Sequence, residues 1–163
     1  MTVIAVGPAA ALLRALSEAF RDVVVIDGDA TVDETIWQTL VSLQTAYSSM
    51  KRGGRIVVVV PTIGMAGAAG LVDYTTAIEG IRAMTKSAAR QWGSEGIGVS
   101  MVAAPLSVFA ADIDTSHLSA AAVRDDPTLI HSIVETAKFL MRGDLDHLTG
   151  ETVIVDGGSV MLP

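Results

Sequence analysis

Apolar and polar positions fall into blocks that switch between the spacing of strands and the spacing of helices. Thr2–Val6 is a short apolar run punctuated by Gly7-Pro8. Pro8 suits the first turn of a helix, where its missing N–H costs nothing. Leu12, Leu13, Leu16, Ala19 and Phe20 then recur at helical spacing. Val23–Ile26 predicts a second buried strand, ended by Asp27-Gly28-Asp29. A helix from about Asp33 to Met50 carries Ile36, Trp37, Leu40, Leu43, Tyr47 and Met50 on one stripe. Lys51 and Arg52 in its last turn favour the helix dipole, and Gly53-Gly54 stops it. Strand Ile56–Val60 follows, then a loop rich in small residues (Gly64, Gly67, Gly70) and a long helix from about Val72 to Trp92. Gly98–Val102 is the next strand, and it stops before Pro105. The stretch Leu106 to Arg124 predicts a loop with a short helix. Pro127 begins a helix bearing Leu129, Ile130, Ile133, Val134, Ala137, Leu140 and Met141, and Thr152–Val155 is the last strand.

This alternation predicts an α/β fold: a parallel sheet of about five strands with helices on both faces, in one domain over 1–163. Half the residues are hydrophobic and the mean hydropathy is +0.50. The longest apolar run, Ile56 to Pro61, falls far short of the roughly 18 residues of a membrane span. The apolar excess points instead to a subunit interface, which resembles a domain core cut in half. The N-terminus lacks the basic stretch that precedes a secretory segment, so the expected compartment is the cytoplasm. Absence of cysteine excludes disulfides and thiolate metal sites. A net charge of −7, with scattered Arg and Lys, argues against nucleic-acid binding.

Isolated chemical groups carry little. His117, His131 and His147 share no i, i+4 ligand spacing and are read as surface or loop residues, so no metal site is expected. Asp112 and Asp114 flank Ile113 in a loop, and Asp125-Asp126 form an acid pair ahead of a helix start. No Gly-x-Ser-x-Gly elbow is present.

Ordered motifs say more. Gly54-Arg55-Ile56-Val57, the stretch Gly96-Ile97-Gly98-Val99-Ser100-Met101-Val102-Ala103-Ala104-Pro105, and Phe139-Leu140 followed by Leu148-Thr149-Gly150-Glu151-Thr152-Val153-Ile154-Val155-Asp156-Gly157-Gly158 occur in sequence. Together they resemble the short-chain dehydrogenase/reductase (SDR) superfamily, most of all its 3-oxoacyl-carrier-protein reductase branch. The likeness covers about two-thirds of the chain, from Gly54 onward. It implies a truncated Rossmann-like, doubly wound sheet. Upstream, the family's Gly-x-x-x-Gly-x-Gly turn corresponds to Gly7-Pro8-Ala9-Ala10-Ala11-Leu12-Leu13, where Gly7 alone remains. Two strand–helix units of the adenosine side are expected to be missing. Asp27 could mimic the acid that reads the ribose, but Asp27-Gly28 is assigned to the family's Asn-Ala-Gly turn.

The resemblance also implies an active-site inventory. Tyr74 matches the tyrosine of Tyr-x-x-x-Lys, but the lysine position is Ile78. The serine position, thirteen residues before Tyr74, is Pro61, with Thr62 beside it, and the chain contains no asparagine. Lys86 is no substitute, lying about 12 Å further along the helix. A phenol with ordinary pKa is about 4 kcal/mol from tyrosinate at neutral pH. No catalytic and no cofactor-binding residue is therefore expected in this chain, and NAD(P) is assigned to a partner subunit. Helices 33–50 and 72–92 and the C-terminal segment 128–158 correspond to the family's oligomerisation surfaces. On the second helix, Ala77, Ile78, Ile81, Met84, Ala88 and Trp92 form one stripe, while Gly80, Ala83 and Ala89 leave a second surface of low relief. The reading is a degenerate subunit that forms homo-oligomers and pairs with a full-length SDR acting on a hydroxyacyl or ketoacyl thioester, the Leu106–Arg124 loop lending part of the partner's pocket. One alternative is a residual NAD(P)-dependent oxidoreductase using Tyr74 and Thr62. Another is a small-molecule binding module with its ligand in the crevice around Gly64, Tyr74 and Pro105.

Overall fold

A computed structural model of the chain describes residues 1–28, 30–110, 122–124 and 127–161. The elements are β1 (Thr2–Val6), α1 (Ala10–Ala19), β2 (Val23–Ile26), α2 (Val32–Ser49), β3 (Arg55–Pro61), α3 (Ile63–Ala66), α4 (Val72–Trp92), β4 (Gly98–Ala104), α5 (Leu129–Leu140) and β5 (Thr152–Ile154). All five strands are parallel, in the order β2-β1-β3-β4-β5. The central strands read as continuous apolar runs because both faces are covered. Ile56, Val58 and Val60 of β3 face one core with Leu43, Ile78, Ile81 and Trp92. Val57 and Val59 face the other, with Leu12, Leu16, Ile133 and Leu140. α2 and α4 thus cover one side of the sheet, and α1 and α5 the other.

Several local expectations change. Pro8 lies ahead of α1, whose N-cap is Ala9. β2 is an edge strand, and Val25 is 45% exposed, since nothing among the described residues pairs with its outer side. α2 opens on a capping box: Thr31 Oγ1 accepts from the Glu34 N–H while the Glu34 carboxylate accepts from the Thr31 N–H. It ends at Ser49, so Lys51 and Arg52 lie beyond its last turn. The glycine-rich loop after β3 contains α3, with Gly64 inside it. On α4, Ala89 and Thr85 belong to the buried stripe and Met84 to its margin, while Ala83 is exposed. α5 starts at Leu129, two residues past Pro127. His117, Asp112, Asp114, Asp125 and Asp126, with most of the Leu106–Arg124 loop, lie outside the described residues.

Strand order alters one assignment. β1 lies between β2 and β3, so α2 crosses from β2 over β1 to reach β3. The topological switch point therefore lies between β1 and β3. Asp27, twenty residues after Gly7, stands at the end of the strand outside β1. That is where doubly wound nucleotide folds place their ribose-reading acid, about 20 residues beyond the first glycine turn. Asp27-Gly28, assigned from the resemblance to the family's Asn-Ala-Gly turn, instead follows the edge strand β2.

Candidate functional site

The carboxyl ends of β1 and β3, where open α/β sheets usually bind ligands, are built from short apolar segments. Pro61 ends β3 opposite Ala104 of β4 and is buried. Thr62 is buried behind it, its N–H donating to the Ala104 carbonyl at 2.8 Å. Its own carbonyl accepts from Met65 at 2.9 Å, which starts α3 immediately after the strand.

α3 lies on the start of α4, and Gly64 is the reason it can. A Cβ at Gly64 would stand 2.6 Å from Ile78 Cγ2. Ile78 is 1% exposed and belongs to the core that also holds Val60, Met101 and Ala103. The next side chain, Glu79, turns outward and pairs with Arg82 through Nε at 2.8 and 3.0 Å. The family's lysine position thus holds an aliphatic side chain sealed beneath α3.

Tyr74 sits one turn earlier on α4, half-buried against the same core. Burial pushes its phenol up to about 12, because the ionised form loses hydration there. At neutral pH tyrosinate is then about 7 kcal/mol away.

A cavity of about 310 Å³ opens beside Tyr74 and Ile78. Its other walls come from Val6, from Asp27 and Gly28 after β2, and from Thr31 and Thr35 of α2. It brings Tyr74 and Ile78 together with Asp27, and neither Pro61 nor Thr62 lines it. Gly64 and Pro105 do not line it either, so the space lies further toward β2 than the expected crevice. Asp27 and Asp73 put two carboxylates on its exposed margin.

At the first strand–helix turn, the N–H of Ala9 donates to the carbonyl of Val108 at 3.0 Å. Phe109 beyond it is buried against the α1–α5 core. On the other side, Gly7 and Gly28 touch backbone to backbone: a Cβ at Gly7 would meet Gly28 Cα at 2.8 Å, and Gly7 has φ +60°.

His131 and His147 are both exposed and belong to separate segments. Among the described residues no three His, Asp or Glu side chains are placed to hold a metal. No helix among them is long and apolar enough to cross a membrane.

The long helices make a second concave surface. Leu40, Leu43, Gln44 and Tyr47 of α2 face Met84, Ala88 and Trp92 of α4 across a groove of about 410 Å³. The Tyr47 and Trp92 rings stack at 4.6 Å, and Tyr47 Oη donates to Glu95. Val41 and Trp37, 64% exposed, extend this surface along α2. Sequence spacing places Trp37 on the same stripe as Leu43, but the helix turns it to solvent.

A family model described as enoyl-(acyl carrier protein) reductase matches residues 3–160. The 3-oxoacyl-[acyl-carrier-protein] reductase of Salmonella typhimurium is 30% identical over 117 residues, 69% of this chain and 48% of that protein. The reductase of the same description from Staphylococcus aureus is 29% identical over 140 residues, 82% of this chain and 57% of that one. A solved short-chain dehydrogenase from Burkholderia cenocepacia, in complex with NADP, superposes with a TM-score of 0.63 at 22% identity, over 80% of this chain and 58% of the other. A Serratia marcescens short-chain dehydrogenase/reductase mutant gives a TM-score of 0.63 at 16% identity over 96% of both chains. The chain spans about half the length of the Salmonella relative it matches. Motif order, parallel sheet and family model agree, and the chain belongs to the short-chain dehydrogenase/reductase family, close to its 3-oxoacyl-acyl-carrier-protein reductases.

Proposed function

We propose that this chain is a non-catalytic SDR-like subunit, one domain over 1–163, that assembles with copies of itself and with a full-length SDR. That partner would hold NAD(P) and act on a hydroxyacyl or ketoacyl thioester, the chemistry suggested by the reductases it resembles. The observation that carries the reading is Ile78, packed under α3 where the family's reaction needs a lysine. Tyr74 is pushed away from ionisation by its burial. The residues present do not fit a dinucleotide. The Ala9 N–H at the α1 N-terminus is taken by Val108, Ala10 and Ala11 carry Cβ atoms in the first turn of α1, and Asp27 alone among the described residues stands where a ribose could be read.

Assembly rests on α2 and α4, with the closing segment 128–158 as a second contact. An apolar groove continued by exposed Trp37 and Val41 is what an unpaired subunit face looks like. The experiment is native mass measurement of the chain alone and mixed with a full-length 3-oxoacyl-acyl-carrier-protein reductase. A dimer or mixed tetramer, lost in Leu40→Glu, is expected. A monomer under both conditions, or NADPH turnover by the isolated chain, overturns the reading.

The cavity beside Tyr74 favours a second reading, a small-molecule binding module. Filling it with Ala77→Leu would then abolish the thermal stabilisation given by a bound compound.

A further inference from the structure

The amino ends of the strands carry a cavity that the family reading leaves unused. It measures about 350 Å³ and lies among the loops that follow α2, α4 and α5. Its lining is polar and rich in glycine, and it holds two guanidinium groups, Arg52 and Arg55, against one carboxylate, Asp146. In a chain of net charge −7 that local excess of positive charge is unusual.

Both arginines are positioned by glycines. Gly96 has φ +75°, and a Cβ there would stand 2.8 Å from Arg52 Cγ. Two residues on, a Cβ at Gly98 would stand 3.0 Å from Arg55 Cδ. Each glycine therefore makes room for one arginine stem, and the pair is held on one wall.

Arg55 is 4% exposed. Its Nη1 donates to the carbonyls of Gly54 at 3.0 Å and Gly96 at 3.4 Å, and its Nη2 to Asp146 Oδ1 at 2.5 Å. The Asp146 side chain is 78% exposed. A buried guanidinium whose counter-ion stands mostly in water can exchange that partner for another oxyanion, because the displaced carboxylate is readily rehydrated. Arg52 is exposed and makes no hydrogen bond or ion pair among the described residues, though it lies against Gly96. A clamp between β3 and the α5–β5 loop accounts for Arg55 and Asp146. It gives Arg52 no role.

We propose that this cavity binds a phosphate-type oxyanion, either inorganic phosphate or the phosphate of a small monoester. Arg52 supplies the free charge, Arg55 the fixed donor fork, and Asp146 the carboxylate that the ligand displaces.

The test is calorimetric titration with inorganic phosphate and with phenyl phosphate, at constant ionic strength set by chloride. Saturable binding is expected, weakened about tenfold or more in Arg52→Gln by loss of one charge-assisted contact. Asp146→Asn should tighten it, since the competing charge is gone. Equal affinity for the two probes identifies the phosphate group as the ligand, and tighter phenyl phosphate identifies a monoester; both support the site. No saturable heat with either probe, unchanged binding in Arg52→Gln, or weaker binding in Asp146→Asn overturns it. Urea unfolding of each variant, compared with the parent chain, confirms that the variants measured are folded.

Discussion

The two ends of the sheet each carry a cavity, and the two differ in their charged groups. At the carboxyl end, where such folds bind their ligands, α3 covers Ile78 and the Val108 carbonyl takes the Ala9 N–H, leaving a space of about 310 Å³ beside Tyr74. The amino end holds a polar, glycine-lined cavity with two arginines. The same sheet thus offers an arginine-bearing space at one edge and a carboxylate-rimmed one at the other.

Substitutions at the two ends test that contrast. Ile78→Lys restores the family's residue type, yet it places an unpaired ammonium in an apolar core. It should cost about 3 kcal/mol or more, read as a lower urea midpoint. If stability changes by less than about 1 kcal/mol and the Tyr74 phenol then titrates below its ordinary value, the carboxyl end is an active site after all.

Tyr74 itself gives the next effect. Its pKa is near 10 in the unfolded chain and about 12 in the folded one, so the folded state holds the proton more tightly. The stability linked to it is complete below pH 10 and falls as pH rises toward 12, by up to about 3 kcal/mol. Tyr74→Phe should remove this alkaline phase while leaving assembly unchanged. Absorbance titration of the phenol checks the pKa directly.

Gly64→Ala drives a methyl into Ile78 and should cost about 1–3 kcal/mol by overpacking, with α3 lifted from α4. At the amino end, Asp146→Ala should cost less than about 1 kcal/mol, because the carboxylate is mostly in water. A larger loss there would show that the Arg55 pair is structural and that the two ends are less different than they look.

Much of this was legible in the residues. Apolar runs and helical spacing located the five strands and the long helices to within a few residues, because every central strand is buried on both faces and every long helix has one buried stripe. The substitutions at Pro61 and Ile78 were also readable, since motif spacing needs no coordinates. Sheet order was not. Periodicity shows that β1 and β2 are strands but carries no information on which of them lies beside β3, and so it cannot tell whether Asp27 follows a central or an edge strand. α3 was hidden because Gly64 reads as a loop signal, whereas its missing side chain serves a close helix contact. The amino-end cavity was hidden for a similar reason. Arg52 looked like a helix-dipole partner, and only the stop at Ser49 lays it across Gly96, 44 positions away in the chain.

The clasp of Tyr47 on Trp92 and Glu95 fastens α2 to α4 near their C-terminal ends, while the Tyr74 cavity separates them near the opposite ends. The two helices are therefore joined at one end and parted at the other, like a clothes peg with its jaws open. Whatever settles on this face meets packed rings at one end and open space at the other, so selectivity should be concentrated around the stacked rings and tolerance around Thr31 and Tyr74.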